Sequence, residues 1–255
     1  MPDPVHLVRD AFPHEPGLDT AVSRALLLRA SAGEVPETFR MHVPGRIVAF
    51  GKRDTIETGY RRAVAATRRG GFAPVERLAG GRAAVFTEHT LAFAWTIPDP
   101  DPRRGIYERF DRLASLMVRA FTRLEVTAEI GEIPGEYCPG QYSVHHTISE
   151  DRRIKLMGVG QRLARRAAHI GGVVVVDHPE LVRDILVPVY SALGLGWRPE
   201  TAGALTDVQP GVSVDDSAAA IIADLGSEVD LVCGSLDDAT LDLARTLAPE
   251  HAPAA

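Results

Sequence analysis

The clearest alternation of large and small side chains runs from Leu91 to Ile97. Successive residues of a strand point to opposite faces, so Leu91, Phe93, Trp95 and Ile97 share one side and Ala92, Ala94 and Thr96 the other. The bulky side is expected in the core. The small side leaves space, either for a close-packed element such as the following helix or for a ligand. Ala83–Thr87 is expected to pair with this strand around a short turn. Ile106, Phe110, Leu113, Met117, Phe121 and Leu124 recur at helical spacing and predict a helix over Ile106–Leu124. A second helix is predicted over Leu18–Ala30, with Asp19 as its cap and Val22, Ala25, Leu26 and Arg29 on one side. A third, Thr58–Arg69, stops at Gly70-Gly71.

Short apolar runs predict further strands at Arg46–Gly51, at Tyr142–Ile148, from Ile154 onward and at His169–Val176, with a charged turn at Glu150–Arg153. Helices are predicted over Pro179–Leu193, Val214–Leu225 and Asp237–Leu247. No repeat or linker interrupts this order. The pattern reads as one mixed α/β (α+β) domain over residues 1–248, its last part helical, followed by a flexible tail at 249–255.

Composition narrows the partners. A chain of 255 residues with 45% hydrophobic content can bury a sizeable core. A net charge of −6 argues against a dedicated nucleic-acid binder, and no apolar run approaches the ~20 residues needed to cross a bilayer. The start, "MPDPVHLVRDAF", lacks the basic and apolar segments of a signal peptide. Two cysteines, Cys138 and Cys233, make neither a disulfide framework nor a four-ligand zinc site. No metal-ligand spacing appears. The expected location is the cytoplasm, with both thiols reduced.

Three stretches carry candidate chemistry. In "RLAGGRAAV", Gly80 and Gly81 let backbone amides approach an anion or carbonyl, and Arg77 adds a permanent charge. The same residues also suit a plain glycine turn with a solvated arginine. In "IKLMGVGQR", Lys155 lies between apolar neighbours as a sheltered point charge for an acyl or phosphoryl oxygen, or as a surface lysine with its stem laid over the sheet. In "GEYCPGQY", Pro139-Gly140 after Cys138 argues against a strand interior, so the thiol is either displayed for chemistry or inertly packed. His145 and His146 face opposite ways in a strand, so they are either an ordinary polar strand pair or supply at most one base for Cys138. No G-x-S-x-G elbow marks a serine hydrolase.

Taken in order, "RLAGGRAAVFTEHTLAFAW", "YCPGQYSV", "KLMGVGQR" and "GGVVVV" resemble the lipoate–protein ligase and octanoyltransferase family over roughly Leu18 to Val176. Within it, the chain is most similar to the cysteine-dependent amidotransferases. The resemblance implies the biotin/lipoate–protein ligase catalytic fold, a mixed central sheet flanked by helices. It implies a Cys138 nucleophile, Lys155 on the acyl carbonyl or donor group, and Arg77, Gly80, Gly81, Arg82 and Gly158 around the substrate. It also implies lipoyl carrier partners: the glycine-cleavage H protein, the E2 lipoyl domains of 2-oxoacid dehydrogenases, or an acyl carrier protein.

ATP-dependent members of that family carry an Arg-Arg pair, three glycines and a His-Asp after the strand. This chain has Glu76 before Arg77, Arg82 as the third loop residue, and Phe86-Thr87 after the strand. The expected activity is therefore acyl transfer that requires no cofactor. The alternatives are an ATP-dependent ligase, in which Cys138 is incidental, and a non-catalytic acyl or carrier binder. Arg152, Arg153, Arg162, Arg165 and Arg166, near Lys155 in sequence, are expected to steer an acidic carrier.

Overall fold

The computed structural model describes residues 4–253. Its main sheet has eight strands in the order β11-β1-β2-β6-β10-β9-β8-β7. These are β1 (Val5–Val8), β2 (Thr38–His42), β6 (Thr90–Pro98), β7 (Glu129–Ile130), β8 (Val144–Ser149), β9 (Arg152–Leu163), β10 (Ala167–Val175) and β11 (Leu231–Gly234). β1 runs parallel to β2 and to β11, and the other pairs are antiparallel. A three-stranded sheet, β4-β3-β5, joins β3 (Ile47–Phe50), β4 (Ala73–Glu76) and β5 (Ala84–Phe86). The helices are α1 (Leu18–Ala32), α2 (Lys52–Thr55), α3 (Tyr60–Arg69), α4 (Ile106–Arg123), α5 (Pro179–Leu193), α6 (Val214–Leu225) and α7 (Asp238–Leu247).

The alternation in β6 does what it predicts on its bulky side. Leu91, Phe93 and Trp95 are buried in one cluster with Phe39 and Met41 of β2 and with Leu113, Leu116, Met117 and Phe121 of α4. α6 packs on α4 and contributes Ala218, Ile221 and Leu225 to the same core. The small side turns away from α4 toward α1, so close packing against the Ile106–Leu124 helix does not account for Ala92 and Ala94. A second core joins the small sheet to α3 and α5 through Val48, Phe50, Val64, Val85, Leu186 and Val189.

Several expectations change. β5 and β6 follow each other but are not partners. β5 pairs with β3 in the small sheet, and β6 lies between β2 and β10. The Thr87–Thr90 turn therefore moves the chain between sheets instead of closing a hairpin. Asp19 does not cap α1: Gly17, at φ 90°, holds that position. The Asp19 carboxylate instead pairs with buried Arg40 and accepts from the Phe12 amide at 3.2 Å. The expected tail begins as a 3₁₀ turn, Ala248–His251. His251 is buried there, its Nδ1 2.7 Å from the Glu76 carbonyl; of the tail, residues 254–255 lie outside the described residues. The strands β1, β2, β4, β7 and β11 have no counterpart in the sequence pattern. Among the described residues, no helix is long and apolar enough to cross a membrane.

Candidate active site

Cys138 lies in the loop between β7 and β8, half-buried, with φ 43°. A non-glycine residue in the left-handed region costs about 1–2 kcal/mol, so its surroundings must hold it there. They do so at all three of its polar atoms. The Cys138 amide donates to the Tyr190 phenol oxygen at 2.7 Å, and that phenol donates onward to the Ala83 carbonyl at 3.0 Å. The Cys138 carbonyl accepts from Lys155 Nζ at 2.9 Å. The thiol sulfur lies 3.2 Å from Arg77 Nη2 and 3.3 Å from the Arg82 amide nitrogen. Burial pushes the thiol pKa up. The Arg77 and Lys155 charges and these two donors outweigh it, so the net shift is downward. The surroundings thus favour the thiolate more than those of an ordinary cysteine do.

Lys155, on β9, is fully buried. Its ammonium donates to the carbonyls of Tyr137, at 3.0 Å, and Cys138. It also faces Glu136 Oε2 at 3.4 Å and sits 4.8 Å from the Tyr137 ring centroid. Glu136 is anchored in turn, its Oε1 accepting from the Gly140 amide at 3.0 Å and Ser143 Oγ at 2.7 Å. Burial pushes the Glu136 carboxyl up, while Lys155 and these donors pull it down; the net shift is upward. The ammonium is committed to the loop that carries Cys138. Its geometry is that of a group that positions Cys138 and lends it charge.

The glycine loop meets the thiol from the other side. Gly81 has φ 103°, and a Cβ there would fall 2.1 Å from Arg77 Nη2 and 2.8 Å from Cys138 Sγ. Only glycine lets the loop close on the thiol. Gly80, by contrast, has open space where a Cβ would go. Gly51 and Gly160 seat the loop: a Cβ at 51 would strike the Gly81 carbonyl at 1.9 Å, and one at 160 would crowd Ala79 Cβ at 3.1 Å. The Arg82 side chain does not enter the site. It pairs with Glu57 at 2.8 Å and Asp54 at 3.3 Å, so what Arg82 offers the thiol is its backbone N–H. Gly158 lies beside the Lys155 stem, with 3.2 Å between a would-be Cβ and Lys155 Cε. Its role in this geometry is passage for that stem.

Two apolar cavities meet this loop. One contains Cys138 itself, with Gly80, Gly81, Ile106, Phe110, Val159 and Leu163 around it. The other lies on the small face of β6, walled by Ala92, Ala94, Gly171, Gly172, Ala49 and Phe86, with Arg77, Leu78 and Ala79 at its edge. His42 and His169 also line it. Burial lowers the pKa of both imidazoles, His169 to about 4.

His145 and His146 do not reach the thiol. Their Nδ1 atoms lie against the Gly131 carbonyl and the Thr127 carbonyl, at 3.1 Å and 2.7 Å. The arginines near Lys155 in sequence do not form one patch either. Arg152 and Arg153 start β9 and Arg162 is near its end, ten residues of extended chain or about 33 Å away.

Sequence reasoning missed Tyr190 and Glu136. Tyr190 lies on the apolar face of α5 with Leu186, Val189 and Leu193, and reads as core. The available signal was a phenol in an apolar stripe, which needs a partner for its hydroxyl.

Residues 15–192 match the family model of the lipoyl protein ligase A/B catalytic domain. The chain belongs to this family, and it is an enzyme of the lipoate–protein ligase group. An octanoyl-[GcvH]:protein N-octanoyltransferase of Geobacillus kaustophilus is 27% identical over 89% of this chain and 75% of its own length. One of Bacillus velezensis is 26% identical over 74% of this chain and 65% of its own length. Among solved structures, a bipartite lipoate protein ligase of Thermoplasma acidophilum aligns over 98% of this chain and 93% of its own, with TM-score 0.73 and 17% identity. A lipoate-protein ligase A bound with ATP aligns over 97% and 95%, with TM-score 0.76 and 18% identity. At that identity these structures establish the fold.

Proposed function

We propose that this enzyme transfers an octanoyl or lipoyl group between lysines of lipoyl carrier domains, through a thioester on Cys138. The observation that carries this reading is the placement of the Cys138 sulfur, 3.2 Å from Arg77 Nη2 and 3.3 Å from the Arg82 amide. The thiolate attacks the carbonyl carbon of an acyl-lysine amide. The oxyanion that forms is stabilised by N–H donors already gathered there, with the Arg77 guanidinium and the Arg82 amide nearest. Departure of the carrier amine, with a proton, leaves the acyl thioester. The ε-amine of a second carrier attacks it, gives up a proton and restores the thiolate, so the two half-reactions balance.

The cavity on the small face of β6 suits the acyl chain, since most of its lining is apolar, Ala49, Phe86, Ala92, Ala94, Gly171 and Gly172 among it, with Asp19, Thr20 and Ser23 adding to its polar part. The activity named for the two bacterial relatives supports an H-protein-type donor and a protein acceptor. Neither half-reaction, as written, consumes ATP or a cofactor, and the location we assign to it is the cytoplasm. The test offers the enzyme octanoyl H protein alone, or free octanoate with and without ATP, and follows acylation of an E2 lipoyl domain. Transfer from the octanoyl carrier without ATP supports the reading. Acylation only from octanoate plus ATP makes the protein a ligase, and carrier binding with no turnover makes it a binder.

A further inference from the structure

Away from this site, His89, Asp177 and His178 bring one ligand atom each to within 4.8 Å of one another. His89 belongs to the Thr87–Thr90 turn between the two sheets. Asp177 and His178 join β10 to α5. The backbone fixes these segments together, because the His89 carbonyl accepts from the amides of Val176 at 3.1 Å and Asp177 at 3.2 Å. The turn itself is locked by buried Thr87 and Thr90, with Thr90 Oγ1 donating to the Thr87 carbonyl at 2.8 Å. The two imidazole rings lie 4.1 Å apart, tilted by 51°.

In Asp177 and His178 the atoms not used as ligands are held by other groups, while His89 Nε2 lies 3.8 Å from Glu88 Oε1. Asp177 Oδ1 accepts from Thr206 Oγ1 and from the His178 amide, each at 2.8 Å, which leaves Oδ2 free. His178 Nδ1 lies 2.6 Å from Glu180 Oε1, which leaves Nε2 free and fixes the ring. That Nε2 is 3.6 Å from Asp177 Oδ2. Ligand atoms around a tetrahedral cation with bonds near 2.0–2.1 Å sit about 3.3 Å apart, so this pair is close to ligating distance. A carboxylate on the outer nitrogen of a ligating histidine is the usual support for such a site.

We propose that His89, Asp177 and His178 bind a divalent first-row transition-metal ion of the zinc type, with Glu180 and Thr206 as outer supports. Two imidazoles and one carboxylate favour such an ion over magnesium or calcium, which take oxygen ligands. Three protein ligands leave a coordination position for water. The ion staples the turn between the sheets to the start of α5, the helix that presents Tyr190 to Cys138.

The test uses the full chain with Cys138→Ser and Cys233→Ser, which removes thiol binding of the probe. Zinc sulfate is titrated by calorimetry, with magnesium chloride as the control, and melting is followed in parallel. One zinc per chain is expected, with a raised melting temperature. His178→Ala and His89→Ala, each at a surface position, should weaken zinc binding at least tenfold and abolish the shift, while magnesium does nothing. Equal zinc affinity in the parent and both histidine variants, or no saturable zinc binding in the parent, overturns the site.

Discussion

The Tyr190 phenol oxygen lies 2.7 Å from the Cys138 amide nitrogen, across 52 residues of chain. The same hydroxyl donates to Ala83, so one group ties Cys138 to the start of the strand that follows the glycine loop. Tyr190→Phe removes both bonds and leaves a buried N–H and C=O unpaired. It should lower thioester formation by about tenfold at saturating donor, the effect of roughly 1–2 kcal/mol of lost hydrogen bonding. Carrier affinity should stay near wild type. A wild-type single-turnover rate would remove Tyr190 from the positioning of Cys138.

Lys155→Ala should reduce acyl transfer by about 10²-fold or more, the scale for losing a charge that supports the reacting centre. It also strands the buried Glu136 carboxylate, a change that typically costs about 3–5 kcal/mol. Adding Glu136→Gln to Lys155→Ala should recover part of the stability and none of the activity. Melting and transfer assays on the single and double variants read the two effects separately.

The lowered Cys138 pKa sets a pH dependence. Iodoacetamide alkylation of Cys138 should rise with pH and level off with a midpoint below the ordinary thiol value of 9.0. Arg77→Leu removes the nearest charge and should move that midpoint upward. The linked stability is present above the ordinary thiol value and is lost as pH falls through the lowered one. Coincident midpoints in the two proteins would mean that Arg77 does not act on the thiol.

The glycine loop offers a contrast between neighbours. Gly81→Ala puts a Cβ 2.8 Å from Cys138 Sγ at a φ of 103°, whereas Gly80→Ala meets nothing within 4 Å. Gly81→Ala should slow alkylation and acylation of Cys138 and lower the melting temperature. Gly80→Ala should change stability by less than about 0.5 kcal/mol. Matched melting temperatures and alkylation rates in the two variants would contradict the close approach at Gly81.

Much of the architecture was legible because its signals are local. α5 and α6 begin and end where periodicity places them, at Pro179–Leu193 and Val214–Leu225. β1, β2 and β11 carry no such signal: β2, Thr38–His42, is buried at every position and includes Arg40, so no alternation marks it. The β5–β6 hairpin failed because two adjacent strands look paired until the sheet order is known. The site divides in the same way. Cys138, Lys155 and the glycine loop stood out by composition and motif order. The function of Arg82 as a backbone donor, the commitment of Lys155 to the loop and the tie from Tyr190 depend on contacts 17 to 61 residues apart in sequence, which no window of sequence contains.

The mass of the intact protein after incubation with octanoyl H protein, without ATP, tests the thioester most directly. The account predicts one added octanoyl group, on Cys138 and released by hydroxylamine, that is retained in Cys233→Ser and absent as a thioester in Cys138→Ser. Acyl transfer to the acceptor lysine at the wild-type rate by Cys138→Ala would contradict it.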